Sequence, residues 1–143
     1  MPIYSRDLSA RAPYHAHVYF TETTQPIARA LQEQLRARLK SDRDAGLLVV
    51  EDLDEMAVGP HSLPQFEIHC YESYLSKLLP LLEASPLISV VHPVTDDDLA
   101  DHTVLAKWIH GTVELDLSVL DPPGQNKALV RFGKPSEKGD IPS

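Results

Sequence analysis

The stretch YHAHVYF, Tyr14–Phe20, predicts the first strand of the fold because its side chains alternate strictly between two kinds. Ala16 and Val18 share the apolar face, whereas His15 and His17 share the other, and this period of two is typical of a half-buried strand. Two neutral imidazoles about 7 Å apart on one strand face can line a site or share a metal ion. The alternative is a pair of ordinary histidines, and a lone His-x-His motif does not separate the two.

Composition restricts the class of protein. The 143 residues suit one domain, and 43% hydrophobic with 24% charged residues is usual for a globular protein. A formal net charge of −8 without a Lys/Arg-rich run argues against a nucleic-acid partner. The single cysteine, Cys70, excludes an intrachain disulfide and fits a reducing cytoplasm. The sequence shows no secretory h-region and no apolar run of about 20 residues, so we expect a cytoplasmic protein without membrane association.

Histidine is the compositional anomaly. The chain has seven, most of them beside strand-like or turn-like sequence: His15, His17, His61, His69, His92, His102 and His110. Imidazole is a common metal ligand and titrates near neutral pH, so the count directs attention to metal or acid–base chemistry.

The first half of the chain predicts three strands and one helix. After a polar lead-in, residues 1–12, and the first strand, apolar residues recur at helical spacing from Ile27 to Leu39 and predict a helix of about four or five turns. Leu47–Val50 begins a second strand, which is followed by acidic residues at positions 51, 52, 54 and 55. We interpret these charges as preventing the edge of the sheet from pairing with another strand. Gln65–Tyr71 predicts a third, alternating strand.

The second half adds a helix over residues 74–82, which Pro80 should shorten or kink. Leu87–Val91 predicts a fourth strand. A short helix that begins at Thr95 or Asp96 is expected to continue to Trp108.

The end of the chain is less regular. Glu114–Val119 is a candidate fifth strand, and residues 121–143 are rich in Pro, Gly and Lys and predict a partly mobile tail. Residues 13–120 would then form the core of a single domain.

The order β-α-β-β-α-β predicts an α+β, ferredoxin-like fold: an antiparallel sheet in the order 4-1-3-2, with helices on one face, plus a C-terminal extension. The first strand then lies antiparallel between the third and fourth. His15 and His17 at its start come beside His69 and His92, which are near the ends of their strands. Ile88 and Val90 share parity with His92, so we expect the open face to be partly covered, by a homodimer partner or by the chain after Trp108.

Four motifs together resemble the small fungal and bacterial DOPA 4,5-dioxygenase family over about residues 13–120: YHAHVYF from Tyr14, VGPH from Val58, HPVTDD from His92, and DHT from Asp101 with a following AKW. The resemblance implies a ferredoxin-like fold, a tendency to dimerise, and extradiol cleavage of a catechol such as DOPA with O₂. It favours His15, His17, His61, His92 and His102. The predicted topology favours His69 in place of His61, and His110 has no counterpart in the family pattern.

Extradiol cleavage needs a metal with open coordination positions, most often Fe(II), although imidazole-rich sites also accept Zn or Mn. We expect three of His15, His17, His69 and His92 to be metal ligands, with Glu67 as the best-placed carboxylate. His61 and His102 are candidates for acid–base work, with Asp101 as the partner of His102. The side chains that could wall an aromatic substrate are Tyr19, Tyr71 and Trp108.

Two other classes of function fit the same residues. One is a non-catalytic, dimeric ferredoxin-like binding module whose histidines hold a structural or incidental metal. The other is a metal-free enzyme, for instance one that tautomerises a small acid. Iron reconstitution followed by incubation with catechols distinguishes them.

Overall fold

The computed structural model describes residues 11–135, so residues 1–10 of the expected lead-in and 136–143 of the expected tail lie outside the described part. Within it the strands form one five-stranded antiparallel sheet in the order β2-β3-β1-β4-β5. The strands are β1 (Pro13–Tyr19), β2 (Leu47–Val50), β3 (Gln65–Tyr71), β4 (Ser89–Pro93) and β5 (Lys107–Ile109). The first four have the predicted 4-1-3-2 order, which confirms the ferredoxin-like α+β fold.

The helices within the described range are α1 (Gln25–Arg36), α2 (Leu39–Asp42), α3 (Leu75–Ala84), α4 (Asp98–His102) and α5 (Lys127–Arg131). Helices α1 and α3 cover one face of the sheet. Their buried residues, among them Leu35 and Leu78, form a single core with Ala16 and Val18 of β1. The apolar face predicted for the first strand is therefore the helix-covered face. None of the helices in residues 11–135 is long and apolar enough to cross a bilayer.

The two helices that cover the sheet, α1 and α3, differ in detail from the sequence-based prediction. Helix α1 ends at Arg36. The guanidinium of Arg36 donates hydrogen bonds to the Val50 carbonyl at 2.9 Å and to the Asp52 carboxylate at 2.8 Å. The separate helix α2 contains Leu39. Helix α3 passes through Pro80 without ending there. The carbonyl that Pro80 cannot bond belongs to Ser76, which is exposed, so water can satisfy it.

Two predictions after β4 are wrong. The short helix ends at His102 rather than continuing to Trp108, and the segment Lys107–Ile109 is instead the edge strand β5. Here Trp108 pairs with Val90, and the side chains of Trp108 and Ile109 alternate between the two sheet faces. The region expected to form a fifth strand, Glu114–Val119, holds one isolated bridge and a 3₁₀ turn at Leu117–Val119. Asp116 caps this turn by accepting from the Ser118 backbone N–H at 3.1 Å.

The face of the sheet opposite α1 and α3 is covered by the chain itself. Tyr19, Val90 and Val113 form a second apolar cluster there, against which Ile88 and Trp108 pack. This explains why Ile88 and Val90 share parity with His92. The segment after Trp108 folds back over the sheet, so the apolar part of this face does not need a partner subunit to cover it.

Candidate metal and active site

The antiparallel register of the three central strands brings the strand histidines into one row. On β1, His15 pairs with His69 of β3 on one side and with His92 of β4 on the other. Two positions along, His17 pairs with Glu67. The four imidazoles are between 2% and 5% exposed. A set of histidines that the sequence separates by tens of residues is thus buried together at one end of the sheet.

Two further histidines reach this row from outside the sheet. His61, in the loop between β2 and β3, lies with its ring centroid 4.1 Å from that of His17. His102, at the end of α4, lies 4.4 Å from the ring of His92. His110 is elsewhere, exposed and donating from Nε2 to the Glu83 carbonyl at 2.8 Å. Six of the seven histidines therefore form one cluster. It contains the five histidines that the family resemblance favours and also His69, which the predicted topology favours in place of His61.

Hydrogen bonds fix the tautomers of His17 and His92. The Nδ1–H of His92 donates to the Pro93 carbonyl at 2.8 Å, and the Nδ1–H of His17 donates to the Gln65 amide oxygen at 3.0 Å. That amide is held in place because Gln65 Nε2 donates to Asp54 at 2.8 Å. Both histidines consequently direct the lone pair of Nε2 into the cluster, where the two Nε2 atoms are 3.2 Å apart.

Two facing lone pairs repel unless a proton or a cation lies between them. Burial, with the neighbouring imidazoles, holds the pKa of His17 and His92 well below its usual value, so a proton is disfavoured. With metal–nitrogen bonds of about 2.0–2.1 Å, two ligand nitrogens of one metal lie roughly 3.0–3.4 Å apart, which matches the observed separation. The pair could therefore hold a cation between its two Nε2 atoms.

His15 offers a third nitrogen. Its Nε2 is buried and has no hydrogen-bond partner, and a buried imidazole nitrogen is costly to leave unsatisfied. The ligand atoms of His15, His17 and His92 all lie within 4.8 Å of one another. These three buried histidines could hold a metal ion.

Glu67 lies beside the three imidazoles and is linked to His69. Gly133 donates its backbone N–H to Nδ1 of His69 at 3.0 Å, so the His69 Nε2–H donates to Glu67 at 2.6 Å. The other Glu67 oxygen is 3.6 Å from Nδ1 of His15 and 3.7 Å from Nδ1 of His17. Burial alone would raise the pKa of Glu67, but the His69 hydrogen bond and the surrounding imidazoles outweigh it and lower the pKa to about 2. Glu67 is thus a carboxylate at neutral pH, and both nitrogens of His69 are already engaged.

His61 and His102 have opposite electrostatic environments. Burial and the nearby His102 lower the pKa of His61 to about 3, and its Nδ1 is 2.7 Å from the Tyr19 hydroxyl. Burial also opposes the charge of His102, but Asp98 outweighs it and raises the pKa. The Nδ1–H of His102 donates to the Asp98 carbonyl at 2.8 Å and lies 3.3 Å from its carboxylate. His61 is therefore uncharged at neutral pH, whereas the surroundings of His102 favour its protonated form.

Asp101 is placed differently from its expected role as the partner of His102. Its carboxylate accepts from the Thr95 hydroxyl at 2.6 Å, from the Thr95 N–H at 2.8 Å and from Asn126 Nδ2 at 3.2 Å. It therefore fixes the loop after β4. The carboxylate next to His102 belongs to Asp98, four residues earlier, and the i,i+4 spacing on a short helix was the available signal. Parity on β3 likewise places Gln65 on the same face as Glu67.

The three candidate wall residues occupy different places. Tyr19 is buried at the His61 side of the cluster, and its ring stacks on Trp108 at 6.0 Å with an interplanar angle of 17°. Trp108 thus stands behind Tyr19. Tyr71 is at the opposite side, 5.8 Å from the ring of Phe132 and under the Arg11 guanidinium at 5.5 Å.

This arrangement agrees with a family match. The model of the Dopa 4,5-dioxygenase family matches residues 14–119, which include all six clustered histidines. The chain belongs to this family. Membership of this family, together with the similar structure of a dioxygenase candidate, indicates dioxygenase chemistry.

Three relatives are similar to this dioxygenase-family chain. A DOPA 4,5-dioxygenase of Amanita muscaria is 29% identical over 115 residues, 75% of this chain, which spans only 49% of the Amanita protein. An uncharacterised 21.2 kDa protein of Botryotinia fuckeliana is 27% identical over 135 residues, which cover 85% of this chain and 70% of that protein. The crystal structure of a dioxygenase candidate from Nostoc punctiforme has a TM-score of 0.68 at 26% identity, covering 80% of this chain and 96% of the other.

Proposed function

We propose that this family member is an extradiol dioxygenase that cleaves a catechol such as DOPA with O₂ at an Fe(II) centre. The observation that carries the proposal is the convergence of unprotonated imidazole nitrogens: the 3.2 Å approach of two Nε2 atoms, with the unpartnered Nε2 of His15 beside them. A metal-free reaction, such as tautomerisation, gives no reason for two buried lone pairs to face each other.

The residues that would hold the metal are His15, His17 and His92, each through Nε2. Each has an acceptor near its Nδ1, respectively Glu67, Gln65 and the Pro93 carbonyl, which is the usual way in which a ligating histidine is oriented. In this assignment Glu67 and His69, both expected as ligands from the sequence, orient the ligands instead. A bound Fe(II) would supply coordination positions for catecholate and O₂ and a path for electron density between them; Zn or Mn would also accept these nitrogens.

Proton transfer falls to the two remaining histidines. His61 is neutral at pH 7 and would take a proton from a catechol hydroxyl whose acidity a bound Fe(II) would raise, with the Tyr19 hydroxyl holding the His61 ring in place. His102, whose proton Asp98 stabilises, would return one to an oxygen leaving group. Two imidazoles with pKa values pushed apart by their environments are the pattern expected of a base and an acid.

Anaerobic loading with Fe(II), followed by catechols and air, tests the proposal. We expect a yellow ring-cleavage product from the wild type and from His110→Ala, a histidine variant outside the cluster. His92→Ala should form none. Absence of product with a panel of catechols, despite stoichiometric iron, would contradict the dioxygenase proposal and leave a binding module with a structural metal.

Two further features belong to the same proposal. We propose a homodimer in the cytoplasm, on the grounds of the family resemblance and the single unpaired cysteine. Since the chain covers the apolar part of its own open face, a dimer would use another surface. Light scattering coupled to size-exclusion chromatography measures the mass, and a value of 15.9 kDa would exclude the dimer.

A further inference from the structure

The segment Asn126–Gly133, here called the roof segment, lies against one side of the histidine cluster. The ring of Phe132 is 5.6 Å from that of His69, with an interplanar angle of 11°, and 6.0 Å from that of His15, with an angle of 22°. His69 and His15 themselves stack at 4.4 Å. Phe132, His69 and His15 therefore form a set of three nearly parallel, stacked rings.

The roof segment is tied to the site at both ends. At its end, the Gly133 N–H bonds to His69, and the backbone there has a φ of +78°, a conformation that favours glycine. At its start, the buried Asn126 side chain donates to the Thr95 carbonyl at 2.6 Å and to Asp101 at 3.2 Å. Both anchors reach residues at or next to the cluster, so the segment is held there by specific polar contacts.

The roof segment lies after the part of the chain that the family model matches, which ends at residue 119. We propose that Phe132 is a specificity-determining residue: it forms an aromatic roof over the His15–His69 side of the site and limits which ring substituents fit there. The part of this inference that concerns substrates rests on the proposed catechol cleavage. The part that concerns shielding of the two histidines does not.

Chemical modification of the metal-free protein tests the shielding. Diethyl pyrocarbonate reacts with accessible, unprotonated imidazoles, and mass spectrometry of peptides reports each histidine separately. In Phe132→Ala we expect the modification rates of His15 and His69 to rise up to about tenfold, the upper end of what loss of a ring contact allows. The exposed His110 is the internal reference and should not change.

A matched control lies two residues away. Val130 is in helix α5, which ends one residue before Phe132, and it is 74% exposed, so Val130→Ala should leave the rates at His15 and His69 unchanged. Asn126→Ala, which releases the start of the roof segment, should raise them. Circular dichroism checks folding, and if Phe132→Ala does not fold, Phe132→Leu, which keeps an apolar side chain but no ring, takes its place.

Substrate preference is the second measurement. With iron bound, we expect Phe132→Ala to raise kcat/KM for 4-tert-butylcatechol relative to 4-methylcatechol by about tenfold, the range that one or two contacts in a hydrophobic pocket provide. Unchanged modification rates at both histidines, or an unchanged ratio of the two substrates, would overturn the inference. If the roof residues shield His15 and His69 but no variant cleaves any catechol, the proposed function fails, and the aromatic roof remains as a limit on what reaches the cluster.

Discussion

Nε2 of His17 and Nε2 of His92 face each other at 3.2 Å across the junction of β1 and β4, and each ring donates its Nδ1 proton away from the other. Two facing lone pairs repel each other, so a cation between the two nitrogens would stabilise the pair.

Metal should stabilise the fold, and the effect should depend on His92. For a metal present at about 100 times its dissociation constant, we expect stabilisation by about 2.7 kcal/mol. Thermal unfolding with and without a chelator measures it as a shift in Tm. His92→Ala should lose the shift and His110→Ala should keep it. An equal shift in both variants would place the metal outside the cluster.

Gln65 should affect metal affinity without touching the metal. Gln65→Leu removes the acceptor that orients His17, and such changes typically cost about 10–100-fold in affinity. Competition with a chromophoric chelator measures the dissociation constant. Gln125 is exposed, so Gln125→Leu is the matched control and should bind metal like the wild type. If Gln65→Leu also binds normally, the amide does not orient the ligand.

His61 should be needed for turnover rather than for metal binding. His61 is the proposed base, so His61→Ala should lower kcat by about 10²–10⁴-fold. The iron content of this variant should stay near that of the wild type. Tyr19→Phe, which removes only the hydroxyl that contacts His61, should have a smaller effect. Iron loss in parallel with activity would instead identify His61 as a ligand.

The pH dependence of stability should reveal the bond between Tyr74 and Asp42, far from the site. The Tyr74 hydroxyl donates to Asp42 at 2.6 Å, and this hydrogen bond is the main cause that lowers the pKa of Asp42 from its ordinary 3.8. A lowered pKa stabilises the folded state above the unfolded value and ceases to do so as the pH falls through the folded value. Tyr74→Phe should therefore be less stable than the wild type at pH 7, by a margin that narrows below about pH 4. Urea titrations at several pH values measure it, and a margin independent of pH would contradict this account.

Cys70 should be unreactive in the folded protein. It lies in the core under α1 and α3, and burial raises the pKa of its thiol to about 12. A thiol reagent at pH 8 should label Cys70 rapidly only after denaturant is added. Slow labelling without denaturant then reports the rate at which the native state opens. Rapid stoichiometric labelling without denaturant would show that the core opens readily.

The sequence predicted the sheet well because strand alternation and the β-α-β-β-α-β order constrain each other. Once β1 was placed between β3 and β4, the meeting of His15 with His69 and His92 followed from antiparallel register. The hydrogen-bond partners could not be read in the same way. Which nitrogen of His17 faces inward depends on the Gln65 amide, and its orientation depends on Asp54 in a loop.

Local patterns after residue 100 were the least informative. Lys107–Ile109 is too short to show a strand period, and its pairing with β4 depends on an edge that only the assembled sheet provides. The position of Phe132 could not be predicted, because nothing in the surrounding Gly- and Pro-rich sequence indicates that this part of the chain folds back onto the imidazoles.

The location of His15 and His17 on the central strand also has a consequence for how the protein matures. His17 and His92 are 75 positions apart in the chain, and they meet only when β1 has paired with β4. Contacts of such long sequence separation form late and together, since their loop-closure cost must be met before they stabilise anything. The unfolded chain therefore does not hold these two imidazoles together, and we expect a metal ion to be taken up by the folded apoprotein rather than to act as a template that starts folding.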